Sequence, residues 1–255
     1  MTGGPSTVAE VPGADVTHVR ADNPSLLTLS GTNTWIVGRD PAWVVDPGPA
    51  LEPHLDAIVA ACAARGGAGG IAVTHAHADH VEAVEPLRAR LGDVALGYGP
   101  LEAVPVPGHA DDHVCLVRGD VCCTGDAVLG EGSVFVAGDM AGYLDGLRAL
   151  RSRADPPLRL LLPGHGPVVG DARAKLDEYL AHRLDRESRL VDALGRGLRS
   201  EDELLDDVWD DAPAVLRPAA AVTLAAHLDK LEEEGRLPAP IARPGWLDEL
   251  RKHAH

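Results

Sequence analysis

Aromatic residues make up only 3% of this 255-residue chain, so a core of ordinary size has to be built mainly from Leu, Val and Ala. No apolar run approaches the ~20 residues that a membrane-spanning helix needs, and no membrane association is expected. The opening stretch MTGGPSTVAEVPGADV has no basic segment followed by an apolar one and does not read as a signal peptide. Basic residues are scarce: 23 Lys and Arg stand against 39 Asp and Glu, a formal net charge of −16. That weakens any case for broad, salt-dependent attraction to nucleic acid or anionic membrane, while leaving room for a local basic patch. The four cysteines, Cys62, Cys115, Cys122 and Cys123, form no CxxC pair and no disulfide framework. A reducing cytoplasm is the expected location. There is no G-x-S-x-G elbow and no cysteine beside a suitable histidine, so catalysis through a covalent side-chain intermediate has no support.

The periodicities that are present predict a layered α/β domain. The first 20 or so residues read as irregular. NTWIVG and AWVVD are expected as strands separated by the turn signal RDP, and Leu51 to Arg65 as a helix followed by GGAGG. IAVT is expected as a buried strand, and Asp79 to Leu91 as a helix that Gly92 ends. Short strands DVALGY, EAVPV, HVCLVRG and VCCTG follow; Cys122 and Cys123 are expected to fill core. Then come a helix in MAGYLDGLRALRSR, a strand in LRLLLPG, and a long helix from Lys175 to about Leu194. The composition shifts at GRGLRSEDELLDD, which divides the chain into residues 1–196 and a small C-terminal unit, 197–255. In that unit a helix is expected from Ala214 to Glu234, with Leu224, Leu228 and Leu231 as its apolar stripe. EGRLPAPIARPGW is expected as a hairpin or wing, and Trp209 and Trp246 as anchors; His253 and His255 lie at the chain end.

The chemistry concentrates in VTHAHADH, residues 73–80, where three histidines and an aspartate directly follow an apolar run. In extended backbone, residues two apart point to the same side, so His75 and His77 can share one ion. Asp79 and His80 come as the chain turns into a helix and can serve a neighbouring point. The same arrangement, a short apolar run and then a polar side chain, recurs at Asp46, His109, Asp126 and His165. One loop histidine is ordinarily just solvated, but five such strand ends in one chain point to a metal site. Imidazole and carboxylate suit zinc and also accept manganese or iron.

THAHADH, PGHADDH, TGDAVLGEG and LPGHGPVV resemble the metal-binding motifs of the metallo-β-lactamase superfamily. LLTLSGTNTWIVG, GDAVLGEGSVF, YLAHR and HLDKLEEEGRL are similar to its β-lactamase-like protein 2 subgroup, and the likeness runs from about Asn23 to Leu237. The resemblance implies an αββα sandwich followed by a small winged-helix-like domain, with two divalent metal ions. It assigns His75, His77 and His109 to the first ion, and Asp79, His80 and His165 to the second. Asp126 bridges them, and Asp46 orients a ligand histidine from behind. The segment between His80 and His109 is short for the subgroup, and HVEAVE replaces its usual HSGG-like continuation.

The implied reaction is hydrolysis by a metal-bound hydroxide, with Asp79 orienting it or shuttling its proton. Related branches of the superfamily cleave thioesters or lactones, whereas the subgroup is best known for cutting single-stranded RNA. From Arg196 to His255 there are eight Lys or Arg against thirteen Asp or Glu, an unfavourable balance for a nucleic-acid-binding winged helix. The expected substrate is therefore an ester or thioester, small or carried on an acyl carrier, with endoribonuclease action as the alternative. A non-catalytic ligand-sensing regulator is a third reading, and a di-iron redox enzyme a fourth, for which no flavin-binding partner domain is seen. A homodimer through the C-terminal region is compatible with the sequence.

Overall fold

The computed structural model describes residues 4–238 and 241. It is an αββα sandwich, and strand alternation explains the layers. Six strands, β1 (Thr7–Glu10), β2 (Val16–Arg20), β3 (Asn33–Val37), β4 (Ala42–Val45), β5 (Ala68–Ala72) and β6 (Ala95–Leu96), form one sheet in chain order. The second sheet runs β10 (Leu160–Pro163), β9 (Val121–Gly125), β8 (Val114–Arg118), β7 (Glu102–Pro105). Trp35, Val37 and Val45 face inward and meet Leu116, Cys123, Leu160 and Leu162 of the other sheet. Ile36 and Val44, one residue out of phase, face outward against Leu55 and Ile58 of helix α1 (Glu52–Ala63). On the far side Cys115, Cys122 and Leu161 pack on α4 (Met140–Arg151) and α5 (Ala172–Gly195) through Leu144, Leu147, Leu176 and Tyr179. All four cysteines are buried and unpaired. Cys122 and Cys123 fill the two faces of one strand, as core residues.

Several local expectations change. The first 20 residues are not irregular: β1 and β2 pair antiparallel, Thr7 opposite Arg20. β1 is exposed along its whole length, so it has no apolar alternation to announce it. The buried Arg65 holds the pair in place, donating to Glu10, Asp15, Thr17 and the Gly38 carbonyl. The helix expected over Asp79–Leu91 is two, α2 (Ala78–Val81) and α3 (Val84–Leu91). Pro86 has no N–H to return to Glu82, which breaks the ladder. At the break the Ala83 N–H binds the Gly48 carbonyl at 3.0 Å.

The C-terminal part has its own core. Leu190 and Leu194 of α5 meet Leu204 and Val208 of α6 (Glu201–Val208), Trp209, and Leu224, Leu228 and Leu231 of α7 (Arg217–Glu233). α6 begins in a capping box between Ser200 and Glu203, with its acids on the solvent side. A 3-10 turn, Ala214–Leu216, precedes α7 where one continuous helix was expected. The expected wing beyond residue 238, Trp246, His253 and His255 lie outside the described residues. Among those described, no helix is long and apolar enough to cross a membrane.

Candidate metal centre

The sequence-predicted residues converge at one end of the sandwich because every strand that carries them ends there. β4 delivers Asp46, β5 the 75–80 stretch, β9 Asp126 and β10 His165; His109 comes from the loop between β7 and β8. Gly164 is required at this crossing. A Cβ there would lie 2.6 Å from Asp126 Oδ1 and 2.7 Å from His80 Cε1.

Two overlapping donor sets result. His75 Nε2 and His109 Nε2 each lie 3.0 Å from His77 Nδ1. Asp79 Oδ2 lies 3.2 Å from His165 Nε2 and 3.6 Å from His80 Nε2. Asp126 Oδ2 sits between the sets, 3.5 Å from His109 Nε2 and 3.4 Å from His165 Nε2. Each three-residue set, His75–His77–His109 and Asp79–His80–His165, has its donor atoms within 4.8 Å of one another.

The tautomers can be read from what lies behind the rings. His80 Nδ1 faces the Asp46 carboxylate at 3.0 Å, and a carboxylate only accepts, so Nδ1 carries the proton. His109 Nδ1 donates to the Phe135 carbonyl and His165 Nδ1 to that of Gly31. Thr74 Oγ1 gives its proton to Asp46 and therefore accepts from His75 Nδ1 at 3.0 Å. With Nδ1 so occupied, all four rings turn Nε2 to the centre, where it can ligate once unprotonated. His80 Nε2 and Asp126 Oδ1 are fully buried with no hydrogen-bond partner in the protein. Lone pairs converging at such distances, with buried orphaned donors among them, call for a cation, and the donor set suits a divalent metal.

Asp46 is the hub of this support. It adopts a left-handed φ of 51°, unusual for a non-glycine residue, which turns its side chain back under Thr74. Its Oδ1 accepts from the Thr74 N–H at 2.7 Å and its backbone carbonyl from Thr34 Oγ1 at 2.6 Å. Asn33 ties down the opposite loop, donating to the carbonyls of Pro163 and Gly166, both at 2.9 Å.

Electrostatics follow from the same geometry. Burial opposes charge on His80, but the Asp126 and Asp46 carboxylates outweigh it and raise the ring well above its ordinary range. At His165 burial is likewise overcome, here by hydrogen bonds to Asp126 and Asp79, and the ring is pushed up to about 9. Burial lowers His75 and His109. Asp126 ionises well below the usual carboxylate range: burial resists this, and His80 and His165 overcome it.

His113 is a buried support. Its Nε2 accepts the Asp126 N–H at 3.1 Å, and its ring stacks on His75 at 4.9 Å between centroids. Burial holds it down to about 3, so it remains a neutral acceptor. Arg183 is buried, and binds Ser133 Oγ at 3.0 Å and the Val134 carbonyl.

The centre opens into a cavity of ≈470 Å³. Leu26, Leu27 and Leu29 line one side, Leu129, Val134 and Phe135 a second, and Leu216, Ala219 and Val222 a third. The leucines were visible in the sequence, but no local signal places three separate segments around one space.

Residues 200–238 match the β-lactamase-associated winged helix domain. The chain is 27% identical to a β-lactamase-like protein 2 homolog of Caenorhabditis elegans, over 88% of this chain and 86% of that one. It is 30% identical to the lactamase-like protein nscB of Trichophyton rubrum, over 86% and 80%. A solved β-lactamase domain protein from Burkholderia ambifaria superimposes with a TM-score of 0.70 at 20% identity, covering 89% of this chain and 88% of that one. With that match across both parts of the chain, and with its histidines and aspartates gathered at the strand ends of the sandwich, the chain belongs to the metallo-β-lactamase superfamily, as a metallo-hydrolase.

Proposed function

We propose that this protein hydrolyses an ester or thioester with an apolar acyl group, free or borne on an acyl carrier. The observation that carries the reading is the cavity lining. Beside the metal centre it is mostly leucine, valine, alanine and phenylalanine, with Ser25, Thr28, Ser133 and Glu131 among them, and it includes no Lys or Arg. An apolar cleft with a few convergent polar groups fits a small ligand of that character. A polyanion needs cations along its path. A neighbouring cleft of ≈400 Å³ that shares His109 presents Asp111, Asp139, Asp229 and Glu233 against Lys230 alone, and Lys230 is bound to Glu187 and Glu234.

In this reading His75, His77 and His109 hold one divalent ion, Asp79, His80 and His165 hold the other, and Asp126 lies between them. Zinc suits the donors, and manganese or iron would be accepted. Two such ions supply an activated water and an electrophile for the carbonyl oxygen. The protein supplies placement and proton handling. Asp79 Oδ2, fixed by Thr32 Oγ1 at 3.4 Å, faces the cavity and is positioned to take the proton from water and return it to the leaving sulfur or oxygen. The leucine wall keeps bulk water away from the acyl group. One water is consumed, the acyl C–S or C–O bond breaks, and a carboxylic acid and a thiol or alcohol leave.

The test sets octanoyl-N-acetylcysteamine against an end-labelled, unstructured RNA, both with zinc-loaded protein. Thioester hydrolysis without RNA cleavage is expected; cleavage of RNA alone would overturn the reading.

Metal uptake should itself release protons. His165, held near 9 without metal, is protonated at neutral pH and must lose that proton to ligate. Zinc affinity should therefore fall as pH drops from about 9 toward 6. Titration calorimetry at pH 7 in buffers of different ionisation enthalpy should give a buffer-dependent heat. Heats independent of buffer would contradict the ligand assignment.

A further inference from the structure

Helix α7 is apolar on more than one side, and each side has a different neighbour. Ala220, Ala221, Leu224, Leu228 and Leu231 belong to the C-terminal core. Ala226 packs into the core between α4 and α5. Ala219 and Val222 of α7, and Leu216 in the turn just before it, fall three apart, the spacing of one helix face. They are half-buried and line the cavity over the metal centre. That side is locked in place. Thr223 Oγ1 accepts the Val136 N–H at 3.4 Å, and Arg183 of α5 holds Ser133 and Val134 of the adjoining wall. A helix that served only its own small domain would have no use for this face.

We propose that α7 is the length gauge for the acyl chain, with Ala219 and Val222 as its setting. This rests on the ester or thioester reading above. The small side chain of Ala219 leaves room in the cavity that a large one would occupy, and the wall is too well anchored to move aside. The C-terminal unit thus acts on substrate choice from within the reaction chamber. The carboxylates among the winged-helix residues are no obstacle to that role, because the cavity-facing stripe of α7 is uncharged.

The experiment compares acetyl, butanoyl, octanoyl and dodecanoyl thioesters of N-acetylcysteamine with the full zinc-loaded chain. In wild type, kcat/KM should rise about four-fold per methylene until the cavity is full. Ala219→Trp should lower the octanoyl-to-acetyl ratio of kcat/KM at least fifty-fold. Val222→Phe, a milder filling, should lower it in the same direction, and serves if the tryptophan variant does not fold. Val222→Ala should shift the preferred chain toward dodecanoyl. An unchanged ratio in the folded filling variants would overturn the gauge. If wild type turned over no thioester, the hydrolytic reading would fall by itself, and the wall would be judged by binding. Calorimetry with 1-octanol should then show at least ten-fold weaker binding to the filling variant than to wild type; equal affinities would overturn the proposal.

Discussion

Asp79→Ala should lower kcat by about 10²–10⁴-fold on the best thioester while leaving the protein folded. Asp79 is the one carboxylate of the centre with substantial exposure, its side chain 31% accessible at the cavity floor. Its Oδ2 contacts His165, His80 and Thr32. It is therefore placed to hold a proton at the reacting atoms and to ligate the second ion. Removing it takes away both contributions. The set of His75, His77 and His109 does not include it, so one equivalent of zinc should be retained. The measurement pairs kcat/KM with metal content by atomic absorption. A loss under ten-fold would show that Asp79 neither moves a proton nor holds the second ion. A loss of both metals would place it in the structural support of the whole centre.

Asp46→Asn should weaken binding of one of the two ions about 10–100-fold, through the tautomer of a neighbouring ring rather than through any contact with metal. Asparagine keeps the volume and is among the side chains that tolerate the left-handed backbone at φ 51°. Its Oδ1 can still accept the Thr74 N–H. Its NH₂ then stands where Oδ2 now receives both Thr74 Oγ1 and His80 Nδ1. Donor would meet donor at His80 Nδ1, and the ring would relieve this by moving its proton to Nε2, the atom that has to ligate. The readout is a zinc titration resolved into two sites. The weakened site should be the one that includes His80, and the remaining site should be much less affected because His75 can keep its bond to Thr74. Equal weakening of both sites, or of neither, would count against the tautomer argument.

The metal centre was more legible in the sequence than the space above it, for a physical reason. Candidate ligands sit where strands end, so they leave the same local mark: an apolar run, a turn, then His or Asp. His75, His77, Asp79, His80, His109, Asp126 and His165 all carry it, and the structure brings all seven together. The layers were legible in the order of strands and helices along the chain, strands first in pairs and then alternating with helices. What escaped was whatever depends on a distant partner. β1 is an exposed edge held by a buried arginine fifty-five residues away from Glu10. Arg183 looks like surface charge until the carbonyl of Val134 is found against it. His113 has the letter of a ligand but meets a backbone N–H. The cavity is assembled from segments near residues 26, 134 and 219, none of which has a periodicity that announces a shared neighbour.

Helix α5 gives the architecture a mechanical character. It is 24 residues without interruption. Leu176 and Tyr179 are embedded in the sandwich, while Leu190 and Leu194 are embedded in the C-terminal core. A beam clamped at both ends leaves no free joint there. The C-terminal unit is consequently not a module that can be borrowed or discarded like a bead on a string. Cutting the chain after the beam would strip its last turns of their apolar cover and take one wall off the reaction chamber in the same stroke. For a lineage carrying this arrangement, changes in what the enzyme accepts and changes in how the small unit is built fall under one selective pressure.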